Sequence, residues 1–322
     1  MQKSLNLAFI LRFIALSLVM GFFAVVTSAQ CNPETEAALY QRFLDTYKGT
    51  VEQQKTANDL GKDYLAKFGD CPSTEEKKIT EFVKKWLAKY EADLIDRNCT
   101  NAVNNLPTKA FDLCGPLLAK DPESLRTHLL LSLAGLKNLS ANDTKSNDQT
   151  LAEMKKVLGL ISSGRTVDTW IVAGSKDETI GNLQYYSGLL TVNSAPGDAI
   201  AALTKAAQSD SSYSKNPSTY LQLGRAIFND QVKKLSDEYD SKCANRDPSE
   251  ECTQMLGQLY RGLDRVIDAY ARSVALGRTN PGYKKLADSV NAQLTDIYMK
   301  RHDDSTVGLD QLVSDILSKP LP

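Results

Sequence analysis

Five Asx-Pro dipeptides punctuate the chain: Asn32-Pro33, Asp121-Pro122, Asn216-Pro217, Asp247-Pro248 and Asn280-Pro281. Each is followed by apolar residues at helical spacing. An Asn or Asp side chain accepts the free N–H groups of a first helical turn, and proline suits that turn because it lacks an N–H and has a preset φ. A chain that repeats this mark restarts helices along its length. Leu39, Tyr40, Phe43, Leu44 and Tyr47 share one stripe, and after a Lys48-Gly49 break Ala57, Leu60, Tyr64, Leu65 and Phe68 share another, ended by Gly69. Ser73 and Glu76 form a capping box ahead of Ile79, Phe82, Val83, Trp86, Leu87 and Tyr90. Only residues 166–174, TVDTWIVAG, have an extended character, and the run is short. The pattern predicts an all-α chain of about twelve helices in about six antiparallel hairpins, repeated as an α-solenoid rather than gathered around one globular core. The hairpins fall near residues 33–68, 74–120, 121–163, 177–210, 217–277 and 281–318.

One residue cuts against the helical pattern. In NPSTYLQLGRAIFND, residues 216–230, Tyr220, Leu223, Ile227 and Phe228 keep helical spacing, yet Gly224 sits among them. A mid-helix glycine costs about 1 kcal/mol relative to alanine, so it predicts a backbone pressed against a neighbour. Just upstream, Ala199, Leu203 and Ala206 recur at a four-then-three spacing. Together these residues resemble the tetratricopeptide repeat, in which a Leu-Gly pair on the first helix meets small and apolar residues on the second. Gly188 in YYSGLL resembles the same position one repeat earlier. A weaker copy runs through Ala110, Cys114, Leu117 and Asp121-Pro122. The resemblance covers about residues 180–276. The insert between Lys234 and Thr253 departs from it and is expected to lengthen the helices there and pin their ends.

The first 29 residues have another composition. Lys3 and Arg12 precede an apolar run from Phe13 to Val26, which ends in Thr27-Ser28-Ala29. A basic start, a short apolar stretch and small residues read as an export leader, with cleavage expected after Ala29. The run is shorter than the roughly 20 apolar residues of a membrane helix, so stable membrane insertion is not expected. All six cysteines, Cys31, Cys71, Cys99, Cys114, Cys243 and Cys252, follow the leader. An even count in an exported chain predicts disulfides, and six cysteines allow 15 pairings. Proximity favours Cys31–Cys71, Cys99–Cys114 and Cys243–Cys252, with buried free thiols as the alternative. The charge balance, 38 Lys+Arg against 39 Asp+Glu with no basic block, gives no electrostatic case for nucleic acid.

Motifs for catalysis are missing. There is no CxxC, no phosphate-cradling glycine loop and no nucleophile elbow. His128 in THLLLSL reads as a core or interface histidine, and His302 as a cation at a helix end. The acidic runs Glu34/Glu36, Glu75-Glu76 and Glu250-Glu251 sit at helix starts, where the helix dipole favours them. Neither a metal site nor a cofactor is expected.

Function is therefore sought on a polar helix face. Gln222, Arg225 and Asn229 form a stripe on the helix of Gly224, and Tyr186 and Asn193 match Gln222 and Asn229 by their offset from Gly188. In the repeat family such residues contact peptides, so the resemblance implies a protein or peptide partner. The expected organisation is a leader over 1–29, degenerate repeats over 30–164, a connecting loop over 165–176 and repeats over 177–322. The expected role is a binding scaffold, not an enzyme, in the periplasm or outside the cell. The alternatives are an all-helical glycan-processing enzyme with scattered carboxylates and a solute-capture protein with a pocket under Trp170 and Tyr185.

Overall fold

The computed structural model describes residues 31–71, 73–244 and 249–321. The expected leader and Asp247-Pro248 lie outside the described residues. Among those described the chain is all-helical, without strands, and no helix is long and apolar enough to cross a membrane. Residues 166–174 form an irregular loop with a turn at 171–173 rather than a strand.

The chain divides into two compact units, one ending at Arg97 and one beginning at Asn98. In the first, α1 (Pro33–Leu44) and α2 (Val51–Phe68) pack with the first part of α3 (Thr74–Asn105). Asn32 caps α1 by accepting the N–H of Glu34 at 2.9 Å, and the Ser73–Glu76 capping box opens α3. A second capping box, Thr50 with Gln53, opens α2. Phe43, Tyr64 and Val83 are fully buried, and the Tyr64 hydroxyl donates to the buried Glu36 carboxylate at 2.5 Å. The Cys31–Cys71 disulfide ties the start of α1 to the residues after α2.

The second unit begins with the end of α3 and continues through α4 (Ala110–Lys120), α5 (Leu125–Ser140), α6 (Asn147–Ser162), α7 (Lys176–Thr191) and α8 (Pro196–Gln208). It ends with α9 (Pro217–Ile227), α10 (Lys233–Lys242), α11 (Glu250–Thr279), α12 (Lys284–Arg301) and α13 (Leu309–Asp315). Helices pack as α5 on α6, α7 on α8, α9 on α11 across the intervening α10, and α11 on α12. Residues 163–175 link α6 to α7 within this unit.

The Asx-Pro marks do not all act alike. Asn216 caps α9 directly, whereas Asn280 caps a 3-10 turn (Pro281–Tyr283) that leads into α12. Asp121 accepts from Glu123 N at 3.1 Å, but α5 starts later, capped by Ser124. The reason is that an Asx side chain bonding two residues on builds a turn, and only the residues that follow decide whether a helix continues. The insert beyond Lys234 extends the helices as expected: α10 follows α9 through a π-helical turn (Phe228–Val232), and Cys243–Cys252 joins α10 to the start of α11. Cys99–Cys114 joins α3 to α4.

Gly224 lies where its neighbour leaves no room. A β-carbon there would stand 2.5 Å from Cδ1 of Tyr270 and 3.4 Å from Cβ of Ala269, both on α11. Gly188 on α7 faces Leu203 of α8, with Cδ2 at 2.9 Å from the same hypothetical atom. Gly135 on α5, which the sequence reading passed over, faces Cβ of Thr150 on α6 at 2.7 Å. Ala199, Leu203 and Ala206, the small-and-apolar pattern, are all fully buried. Gly224→Leu is therefore expected to destabilise by more than about 1 kcal/mol, although leucine is the better helix former. Denaturant unfolding of the variant checks this, and a stabilised variant would contradict it.

Candidate functional site

Helix α9 is buried on most of its surface: Thr219, Tyr220, Leu221, Leu223, Gly224, Ala226 and Ile227 all face protein. What remains outward is the stripe read from sequence, with Gln222 half-buried, Arg225 exposed and Asn229 half-buried. Arg225 forms no salt bridge among the described residues.

The two matched asparagines meet. Asn229, in the π-helical turn after α9, donates its amide to the backbone carbonyl of Val192 at 3.1 Å and to the Asn193 side chain at 3.4 Å. Val192 caps the end of α7, where carbonyls lack intrahelical partners, so Asn229 satisfies one of them. Its amide N–H group thus serves the framework. Tyr186 is half-buried against the cluster around Leu129, Met154 and Leu183, and its ring stands edge-on to Tyr185 at 5.1 Å. Tyr185 in turn packs beside Tyr213, again at 5.1 Å, and Tyr213 accepts a hydrogen bond from Asn182 at 2.7 Å. Burial, with the neighbouring Tyr186 adding, pushes the Tyr213 phenol up to about 12. Of the five candidate residues, then, the Arg225 and Gln222 side chains form no hydrogen bond or salt bridge among the described residues, Asn193 and Asn229 bond each other, and Tyr186 belongs to an aromatic cluster.

Two further features bear on the alternatives. Trp170 is half-buried against the α5–α7 cluster, whereas Tyr185 packs against the cluster built from α8 to α13, so the two join different parts of the core. A cleft of about 500 Å³ beside α11, α12 and α13 carries Asp264, Asp268 and Asp315. Each is engaged: Asp264 by Arg301 at 2.8 Å, Asp268 by Arg272 at 2.7 Å, and Asp315 by Gln311 at 2.7 Å. Among the described residues no group of His, Cys, Asp or Glu is arranged to hold a metal ion. Of the acidic residues at helix starts, Glu76 acts locally in its capping box, whereas the buried Glu36 accepts from Tyr64 on α2.

Among the long-range polar contacts that the sequence does not announce are those of His128 and Arg272. His128 on α5 is buried, with Nδ1 2.5 Å from the Glu153 carboxylate on α6 and Nε2 3.0 Å from the Pro122 carbonyl. Arg272, whose Asp268 partner lies four residues back on α11, also donates to backbone carbonyls of residues 319 and 320. The Asp-Xaa3-Arg spacing was visible in sequence, but its remote partners were not.

Compared with known protein families, curated proteins and solved structures, the chain matches none of them.

His128 generates a prediction about pH. Burial alone lowers the pKa of an imidazole, but hydrogen bonds to the Glu153 carboxylate and the Pro122 carbonyl outweigh it and raise this one. Both partners accept, so both ring nitrogens are used best when both carry protons. A raised folded-state pKa stabilises the fold fully below the unfolded value of about 6.5, and that contribution fades as pH rises through the folded value. The stability advantage of the wild type over His128→Gln is expected to shrink between about pH 5.5 and about pH 9, by about 1.4 kcal/mol for each unit by which the pKa is raised. Urea unfolding at both pH values measures it, and an advantage that stays level or grows would contradict the assignment.

Proposed function

We propose that the chain is an exported α-solenoid resembling tetratricopeptide repeat proteins, and that it acts as a scaffold for a protein or peptide partner in the periplasm or outside the cell. The observation that carries this reading is the outward stripe of α9. A helix buried on nearly every other side leaves Arg225 exposed and without a salt bridge to any described residue, beside Gln222. An unpaired guanidinium on a rigid helix can form charge-assisted bonds to a peptide's carbonyls or carboxylates. Close glycine contacts in three helix pairs, α5/α6, α7/α8 and α9/α11, support the repeat reading. Three disulfides suit an oxidising compartment, and a mature N-terminus at or near Gln30 is the corresponding check on export. The reading involves no cofactor and no catalysis. It is preferred over a glycan-processing enzyme because the carboxylates of the acidic cleft beside α11, α12 and α13 are each held by their own partner.

The test uses Arg225→Ala with Gln222→Ala, leaving Asn229 in place because its amide supports the end of α7. Capture of envelope proteins is expected to weaken by about 1–3 kcal/mol in affinity if these bonds are buried in the complex, with the melting temperature nearly unchanged. Unchanged capture by the folded double variant would rule the stripe out. Lost capture together with lost folding would mean that the stripe serves the core.

A further inference from the structure

Arg272 is 4% exposed, and its guanidinium is shared between two tasks. Nε and Nη2 engage Asp268 at 2.7 and 3.3 Å, while Nη2 also donates to the backbone carbonyls of Lys319 at 3.0 Å and Pro320 at 2.6 Å. These two residues follow the last 3-10 turn (Ile316–Ser318), and the backbone at Lys319 is extended, with φ −95° and ψ 148°. The next residue, Leu321, is half-buried against the main core, beside Leu223 and Ile227 of α9 and Ala269 of α11. Lys319 lines the cleft that holds Asp264, Asp268 and Asp315.

These contacts differ in kind from those of α13 and the 3-10 turn after it, whose Leu309, Val313 and Ile316 are buried apolar side chains. Segment 319–321 is held by a guanidinium on consecutive backbone carbonyls, one apolar side chain in a recess and a lysine near carboxylates. Each is a way in which a scaffold recognises an extended peptide, with the backbone bonded for affinity and one side chain selected for specificity. None of them requires the segment to belong to the same chain. We propose that the recess formed by α8, α9 and α11 under Arg272 is a binding site for an extended Lys-Pro-Leu type peptide, and that residues 319–321 occupy it as an intramolecular ligand. The site uses the buried face of α9, with Leu223 and Ile227, rather than the exposed Gln222 and Arg225, so it stands or falls independently of the stripe. Because the segment is tethered, its effective concentration is in the millimolar range, and an outside peptide competes poorly until the segment is displaced.

The probe is the fluorescently labelled peptide Ser-Lys-Pro-Leu-Pro, the sequence of residues 318–322. It is titrated by anisotropy against the full chain, a chain ending at Ser318, and a full-length Leu321→Asp variant in which the apolar anchor is expelled. Binding to both opened chains is expected to be at least tenfold tighter than to the intact chain, and an L321D version of the peptide is expected not to bind. Circular dichroism reports whether each opened chain keeps its helix content, and if the shortened chain unfolds the Leu321→Asp chain decides. Equal binding to intact and opened chains, or no binding to a folded opened chain, would overturn the proposal. Unfolding of both opened chains would also overturn it, because the segment would then be a structural cap.

Discussion

The close approach of paired helices at glycine is the contact on which the rest of the second unit depends. At Gly135, Gly188 and Gly224 the backbone of one helix lies against Thr150, Leu203 or Tyr270 of the next, with no space for a β-carbon. Each glycine sacrifices about 1 kcal/mol of helix propensity relative to alanine. The return is dense packing, since interiors gain from every contact made at van der Waals distance and lose when a gap opens. Leu203, Ala226 and Val274 are fully buried as a consequence. Fixing these pairs also decides which side of α9 is left over, and that is how a stripe with Arg225 comes to face outward.

Much of this was legible because it is local. Helical spacing located the helices, proximity selected the three disulfide pairs, and Gly224 announced a close neighbour before the neighbour was known. Gly135 carried the same signal in Leu133-Ala134-Gly135-Leu136, but without an aromatic residue one turn earlier it did not stand out. The features that were not legible join distant residues or alter helix type. His128 meets Glu153 25 positions away, and Arg272 reaches carbonyls 47 and 48 positions away. Backbone carbonyls exist at every residue, so sequence gives no sign of which ones are recruited. The π-helical turn at Phe228–Val232 and the division of the chain inside α3 are likewise invisible to a periodicity that runs through both.

The candidate site was legible as a stripe but not as a set of free groups. Identical offsets from Gly188 and Gly224 placed Asn193 and Asn229 in equivalent positions, and the same equivalence brings them within 3.4 Å of each other, where they bond. A matched pair of polar residues therefore carries two readings, a ligand contact made twice or a contact between the two segments, and the bonds of Asn229 to Val192 and Asn193 are of the second kind. Arg225 is different because, among the described residues, no acidic side chain approaches it closely enough for a salt bridge. Arg272 shows the opposite arrangement, since its charge is buried with Asp268 and two carbonyls in place. Breaking such a set commonly costs several kcal/mol, because a charge is left without partners away from water.

The central claim, that helix-on-helix contact at glycine sets the packing, is tested most directly by a double-mutant cycle between Gly224 and Tyr270. Gly224→Ala is expected to destabilise the chain while the Tyr270 ring is present and to stabilise it, by up to about 1 kcal/mol, in a Tyr270→Ala background where the ring is gone. Unfolding free energies of the four proteins give the coupling, and its signature is a reversal of sign. The same effect of Gly224→Ala in both backgrounds would contradict the account.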